Sequence, residues 1–320
     1  MLKEAADFIR RHQEFILISH ISPDGDTLGS SLALSIALKN AGKKAEIVCG
    51  DPVPDLYLFL PGASSVRKPS EAEASDAVIT VDCAALSRAG DGQMLFESAK
   101  ETLCIDHHRT NAGFADVNFV RRASSAGELI VKLLNELGYP MNREIGICLY
   151  AAISTDTGNF AYSGTTPDTF RAMAEIVETG FDLPEANRIL FRTVPLRKVR
   201  LTSLVLERMQ LSRNNAVAVS YADQKDFAAC GARGEDSEGI IDAMRDIDTV
   251  AAAAFLRECE DGSIRVSLRG KSHVDVSGIA SAFDGGGHRL AAGCTLYMEM
   301  PEAVRVMTEA LQAAYDGTET

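Results

Sequence analysis

Four apolar segments in the first half of the chain each end in acidic or imidazole side chains, and this recurrence most restricts what the chain can fold into. FILIS at 15–19 runs into His20, Asp24 and Asp26; VIT at 78–80 is followed by Asp82; TLCI at 102–105 closes on Asp106, His107 and His108; ICLYAAIST at 147–155 ends at Asp156. Short apolar runs suited to buried strands alternate there with stretches of helical spacing, the pattern of a mostly parallel, doubly wound sheet. Ligands of such sheets collect in the crevice outside the carboxyl ends of the strands. The four segments therefore deliver their charges to one region. Carboxylates so crowded cannot all stay ionised without a compensating cation, because each raises the pKa of its neighbours. Oxygen and imidazole donors without thiolates suit Mn²⁺ or a similar borderline-hard ion better than a structural zinc.

The individual pieces have simpler readings, and only their combination is informative. Pro-Asp-Gly-Asp at 23–26 is by itself a turn. An EF-hand is excluded because the twelfth loop position counted from Asp24 is Ser35 rather than a bidentate Glu. A lone aspartate at 82 or 156 says almost nothing. Independent turns, however, have no reason to fall at the mouths of successive core elements.

At 320 residues the chain exceeds what one hydrophobic core usually serves, so two domains are expected. EFILIS, KAEIVCG, DAVITVD and ETLCID read as strands of the first, with helices at 27–42, 124–138, 143–155 and 166–180. Gly42 and Gly180 read as C-terminal stops. Ser124 and Ser125 read as N-caps. Residues 185–213 read as one long helix, broken or kinked near Pro195, a linker between a first domain at 1–184 and a second at 214–320. Its RTVPLRKVR segment reads as a solvated basic face. Beyond it, NAVAVSYA and the run at 250–270 read as strands, the latter a hairpin turning at Asp261-Gly262. A helix at 273–283, the loop DGGGH at 284–288 and a last helix at 301–315 complete a smaller α/β unit.

Composition removes several classes. No apolar run approaches the roughly 20 residues that span a bilayer. The N-terminal segment MLKEAADFIRRHQEF is an amphipathic helix pattern without the apolar core of a secretion signal. Seven cysteines with no close CxxC pair point to reduced thiols and a cytoplasmic location. The net charge of −13 argues against a general nucleic-acid coat, but not against a phosphate substrate whose charge metal ions neutralise.

HISPDGDTLGS, Val81-Asp82, Asp106-His107-His108 and STDTGNF, in this order, resemble the four motifs of the DHH phosphoesterase superfamily. SLRG at 267–270 and GGGHRLAAG at 285–293 resemble its C-terminal DHHA1 domain. The resemblance covers nearly the whole chain and is strongest to compact bacterial members that degrade very short oligoribonucleotides, the nanoRNases, and dephosphorylate 3′-phosphoadenosine 5′-phosphate (pAp). One departure is visible, since Asp284 stands where the family commonly has the first of four glycines.

The resemblance implies two Mn²⁺ ions, with Mg²⁺ or Co²⁺ as possible substitutes. His20, Asp24 and Asp82 would hold one; Asp26, Asp82, His107 and Asp156 would hold the other, with Asp82 bridging. His108 would face the substrate, either steadying phosphoryl oxygens or protonating the leaving group, and Asp106 would orient a histidine. Two such ions activate water for in-line attack on phosphorus, so no serine or cysteine nucleophile is needed. Arg269, Gly285, Gly286, Gly287 and His288 would bind substrate phosphate in the second domain. Expected partners are short RNA oligonucleotides and nucleotides, with a homodimer as the candidate assembly and neither membrane nor long duplex nucleic acid.

Three functions compete on this reading. The first is hydrolysis of oligoribonucleotides and pAp. The second is cleavage of linear or cyclic dinucleotides, pyrophosphate or polyphosphate. Pyrophosphatases of the superfamily use a second domain without GGGH, and RecJ-like exonucleases need DNA-binding modules for which no room or basic groove is expected. The third, a non-catalytic metal-dependent nucleotide or RNA-binding module, would need a degenerate motif position, and none is present.

Overall fold

A computed structural model describes residues 1–271 and 273–317. The chain divides into two compact units, Met1–Thr193 and Val194–Thr320.

The first unit is built on five parallel strands: β1 (Glu14–Ser19), β2 (Lys44–Val48), β3 (Ala77–Val81), β4 (Glu101–Asp106) and β5 (Val117–Val120), in the order β2-β1-β3-β4-β5. Side chains alternate across a strand, so a sheet covered on both faces needs apolar residues at nearly every position. Phe15 and Leu17 enter one core, while Ile16 and Ile18 enter the other. The first core is closed by α1 (Leu2–Arg11), α2 (Gly25–Asn40) and α4 (Ala126–Leu137). The second is closed by a 3-10 stretch at Leu86–Gly92 and by α3 (Gln93–Ser98). A further layer of α5 (Arg143–Asp156), α6 (Pro167–Glu178) and the short α7 (Leu183–Asn187) covers α2 and α4.

The second unit is a six-stranded mixed sheet in the order β10-β11-β9-β8-β7-β6. Its strands are β6 (Gln210–Ser212), β7 (Val217–Ala222), β8 (Ala252–Glu258), β9 (Ile264–Gly270), β10 (Gly286–His288) and β11 (Ala291–Leu296). One face packs on α8 (Leu196–Glu207), α9 (Gln224–Cys230) and α10 (Ile240–Arg245). The other packs on α11 (Ser277–Ser281) and α12 (Met300–Asp316). β8 and β9 form the expected hairpin, with Gly262 at φ 80° in its turn.

The break expected near Pro195 within residues 185–213 is present, and the helix expected at 273–283 is corrected. After α7 comes a π turn at Arg188–Arg192, extended backbone at Thr193, and a new helix beginning after Pro195, whose missing N–H cannot continue a helix. α8 buries Leu201 and Val205 in the core of the second unit rather than spanning a linker. The helix expected at 273–283 is confined to Ser277–Ser281, because Asp275 ties down the Ser277 amide and hydroxyl at 2.9 and 2.6 Å. Val274 and Val276 go into the core from positions ahead of that short helix.

α2 is buried on nearly all sides, and its glycines set how near α5 can come. A Cβ on Gly29 would collide with the Cys148 carbonyl oxygen and lie 2.9 Å from the Ala152 nitrogen; one on Gly25 would strike the Thr155 hydroxyl. This contact carries Asp156, at the end of α5, toward the start of α2. In an open helix Ala would stabilise over Gly by about 1 kcal/mol. At Gly29 the collision should cost more, roughly 2–3 kcal/mol, the upper part of the range for overpacking. Gly29→Ala is therefore expected to lower the thermal midpoint, by about 2–8 °C for a net loss of 1–2 kcal/mol. A rise on calorimetry would show that the two helices are not in tight contact.

Candidate metal centre

β1 and β3 lie side by side although β2 separates them in sequence, so the chain leaves their carboxyl ends in opposite directions and opens a crevice there. His20 directly follows β1, Asp82 directly follows β3, and Asp106, His107 and His108 close β4. Asp24 is the N-cap of α2, its Oδ1 accepting from the Asp26 and Thr27 amides at 3.1 Å each. Asp26 sits in the first turn of α2, and Asp156 is the last residue of α5.

These residues converge on Asp82. Its Oδ2 is 3.5 Å from His20 Nε2, which is also 3.6 Å from Asp24 Oδ2. Its Oδ1 is 3.3 Å from His107 Nε2, which in turn is 3.4 Å from Asp156 Oδ2 and 3.7 Å from Asp26 Oδ2. These separations are long for hydrogen bonds but suit donors arranged around a cation. Among the described residues, three sets have donor atoms all within 4.8 Å of one another: His20, Asp24 and Asp82; Asp26, His107 and Asp156; and Asp82, His107 and His108. Asp82 Oδ1 is buried and has no hydrogen-bond partner, an arrangement that costs free energy unless a cation satisfies it. The donor set, carboxylates and imidazoles without thiolate, fits a divalent metal ion.

Neighbouring groups fix the ring orientations. His20 Nδ1 is 2.8 Å from the Ile21 carbonyl and His107 Nδ1 is 3.3 Å from the Ala123 carbonyl. These contacts hold each ring with its Nε2 turned toward Asp82. Asp106 Oδ1 is 2.7 Å from His108 Nδ1, so this carboxylate orients His108 and leaves its Nε2 unengaged by that contact. Asp26 is bound from behind by α4, accepting from the Ala126 and Gly127 amides at 2.6 and 2.9 Å and from Ser30 Oγ at 3.0 Å. A carboxylate at a helix N-terminus is favoured by both the free amides and the helix dipole.

The charges show the strain of the arrangement. Burial holds the Asp26 carboxyl well above the usual range, reinforced by the charges of Asp82 and Asp156. Burial, with Asp82 and Asp24, raises Asp156 to about 6. Burial disfavours the imidazolium of His20, but Asp24 and Asp82 outweigh it and raise its pKa to about 10. His107 is also raised to about 10, its burial outweighed by Asp82, Asp26 and Asp156. Both directions express one fact: the cluster attracts positive charge, supplied by protons or by metal.

Some participants had no sequence signal. Asn111 donates to Asp106 Oδ2 at 2.7 Å and to the Cys83 carbonyl at 3.0 Å, locking the carboxylate that orients His108. Arg88 places Nη2 3.0 Å from His20 Nδ1. Ser125 caps α4 through the Glu128 amide, and Ser124 binds the buried Glu128 carboxylate. Ser125 is the expected N-cap, whereas Ser124 does not cap the helix and instead holds the Glu128 side chain.

In the second unit, His288 pairs with Ala291, which pairs with Arg269, so Arg269 and His288 stand in one cross-strand row on the same face. Arg269 Nε also lies 3.2 Å from Asp242 Oδ1, which holds part of its charge. Gly285, Gly286 and Gly287 lie at the exposed edge, with Gly287 at φ 144° and Asp284 exposed at φ 55°.

Residues 14–153 match the DHH family, N-terminal domain, and residues 214–315 match the DHHA1 domain. The chain belongs to the DHH family. This DHH protein is 33% identical over 300 residues to the bifunctional oligoribonuclease and PAP phosphatase NrnA of Thermus thermophilus, covering 92% of this chain and 88% of that one. It is 30% identical over 314 residues to the protein of the same name from Bacillus subtilis, covering 97% of each. The crystal structure of an exopolyphosphatase-related protein from Bacteroides fragilis aligns with a TM-score of 0.90 at 26% identity, over 100% of this chain and 97% of that one.

In this DHH chain Asp82 combines a buried orphan oxygen with a left-handed backbone at φ 60°, a conformation that Asn tolerates as well as Asp. Asp82→Asn is expected to lower phosphoester turnover by at least about two orders of magnitude, the scale of losing a charge-stabilising group. Bound metal measured by atomic emission should fall with it. Near-normal turnover and metal content would remove Asp82 from the centre.

Proposed function

We propose that this chain is a metal-dependent phosphoesterase that hydrolyses short oligoribonucleotides to mononucleotides and pAp to AMP. The observation that carries the chemistry is Asp82, whose two oxygens face two different imidazole–carboxylate sets while one oxygen lacks any protein donor. The substrate class is supported by the relatives that share most of this chain's length and are named for both activities.

His20, Asp24 and Asp82 would hold one Mn²⁺, and Asp26, Asp82, His107 and Asp156 a second. Bound in that way, the ions would lower the pKa of water and neutralise charge developing on the phosphoryl group. Asp106 fixes the His108 ring through Nδ1, and the Asp106 hydrogen bond raises the affinity of His108 for a proton. His108 Nε2 is the chain's own donor to a phosphoryl or leaving oxygen. The chemistry thus belongs to the first unit. Arg269, His288 and the glycine edge of the second unit would take substrate phosphate, a role for charge-assisted hydrogen bonds and close backbone approach. Seven free cysteines suit a reducing, cytoplasmic setting, and no helix among the described residues is long and apolar enough to cross a membrane.

The direct test compares di- to pentaribonucleotides, pAp, pyrophosphate, polyphosphate and cyclic dinucleotides, with Mn²⁺ and after exhaustive chelation. Mononucleotides from the short RNAs and AMP from pAp are expected only with metal. Full turnover in chelator would refute the metal mechanism, and preference for polyphosphate would move the substrate toward the Bacteroides fragilis protein's name.

His288→Ala separates the proposed roles of the units. None of the proposed metal donors lies beyond Asp156, so metal content should be unchanged. A lost charge-assisted hydrogen bond of about 1.5–3 kcal/mol should lower kcat/KM on a dinucleotide by roughly one to two orders of magnitude. Bis-p-nitrophenyl phosphate should be affected far less. Equal losses on both substrates would place His288 in the chemistry, and no loss on either would make the glycine edge a structural turn.

A further inference from the structure

The segment that follows Asp156 is built to expose an aromatic ring. Gly158, Asn159 and Phe160 occupy the left-handed region in succession, at φ 55°, 54° and 69°. Asn tolerates that conformation, but a bulky residue such as Phe rarely adopts it. The turn is held by the Asn159 amide on the Ser154 carbonyl at 2.7 Å, the Phe160 amide on Thr157 Oγ1 at 3.0 Å and the Tyr162 amide on the Thr157 carbonyl at 3.0 Å. Phe160 packs against the first core and stacks on Phe170, with ring centroids 5.7 Å apart and planes 30° apart. This anchors the loop. The Tyr162 ring then lies against Gly158, where a Cβ would come within 2.6 Å of ring carbons, yet the residue is 63% exposed.

Backbone strain of the kind seen at Phe160 gathers at functional sites, and here it ends two residues before an exposed ring. Tyr162 lies six residues beyond Asp156, on a turn that starts at Thr157 and folds back onto the end of α5 that carries this candidate metal donor. A nucleotide carries a flat, aromatic base one sugar away from its phosphate. We propose that Tyr162 is a stacking platform for a nucleobase of the substrate, positioned by the Phe160–Phe170 stack. The proposal rests on the function stated above and adds a specificity residue to it: stacking tolerates every base but favours purines, and it would help align a substrate too short to make many other contacts.

Steady-state kinetics on diadenosine and diuridine dinucleotides tests this with Tyr162→Ala and Tyr162→Phe. Tyr162→Ala should lower kcat/KM for the adenine dinucleotide by about 5- to 150-fold, the usual range for losing one stacked base, mainly through KM, and should flatten the purine preference. Tyr162→Phe, which keeps the ring, should retain both. A dinucleotide carrying 2-aminopurine, added to metal-free protein, should be quenched by the parent and by Tyr162→Phe but not by Tyr162→Ala. Equal losses on both dinucleotides, a Phe variant as impaired as Ala, or quenching that survives Ala would overturn the platform. A parent that cleaves neither dinucleotide would overturn the proposed function and the platform with it, whereas normal parent turnover matched by Tyr162→Ala would overturn the platform alone. Self-association that disappears in Tyr162→Ala, without any change in kinetics, would assign the ring to contact between copies and so also overturn the stacking role.

Discussion

Asp82 holds one carboxylate between two imidazoles, 3.5 Å from His20 on one side and 3.3 Å from His107 on the other. Only a residue at the carboxyl end of β3 can do so, because β3 lies between the strands that deliver the two histidines. The other acidic groups must then be admitted without further repulsion. Asp24 and Asp26 each spend part of their charge on helix N-termini, Asp24 on α2 and Asp26 on α4. Burial opposes ionisation of Asp106, but His108 and Asn111 overcome it and hold its carboxyl below the usual range. Asp82 Oδ1 accepts no hydrogen bond, which leaves the deficit where a cation would sit.

The charged positions were legible in the sequence because each falls at the end of a strong apolar segment, where periodicity changes from strand to loop or helix. β1 and β4 coincide with EFILIS and ETLCID for the same reason. β5 was missed because four residues with one fully buried side chain carry too little pattern. The short helices α9 and α10 likewise carry too few turns to show periodicity. At 185–213 helical propensity was read correctly on both sides of Pro195, but the partner of α8 was not: its apolar face belongs to the second core, which only tertiary packing reveals. Asn111 and the α4 amides were invisible for another reason. A polar loop residue and a backbone N–H have no sequence signature until the fold places an acceptor before them.

The glycines of α2 show the same limit. In sequence, Gly25 belongs to a turn motif and Gly29 is an unfavourable residue in a helix. In the structure both are the points where α5 crosses closely enough to bring Asp156 into the cluster. Local propensity is given up at two positions so that a carboxylate from a fourth segment can join three others. Conflict of this kind between local preference and fold is expected near functional sites.

The glycine edge of the second unit allows a finer division between structural and binding roles. A Cβ on Gly285 would lie 2.5 Å from Cys294 Cβ, and one on Gly287 would lie 2.5 Å from the Ala291 carbonyl oxygen, so the β10–β11 hairpin itself requires those two. Asp284 takes a left-handed conformation in which Asp is among the few acceptable substitutes for Gly, and its exposure keeps its charge in solvent. Gly286 differs from all of these. It faces open space, its backbone is not left-handed, and nothing in the hairpin would meet a side chain there. Folding does not account for glycine at this position, while close approach of a ligand to the backbone does. The binding reading of the glycine edge therefore rests on Gly286 and on the row formed by Arg269 and His288, not on the run of three glycines as such.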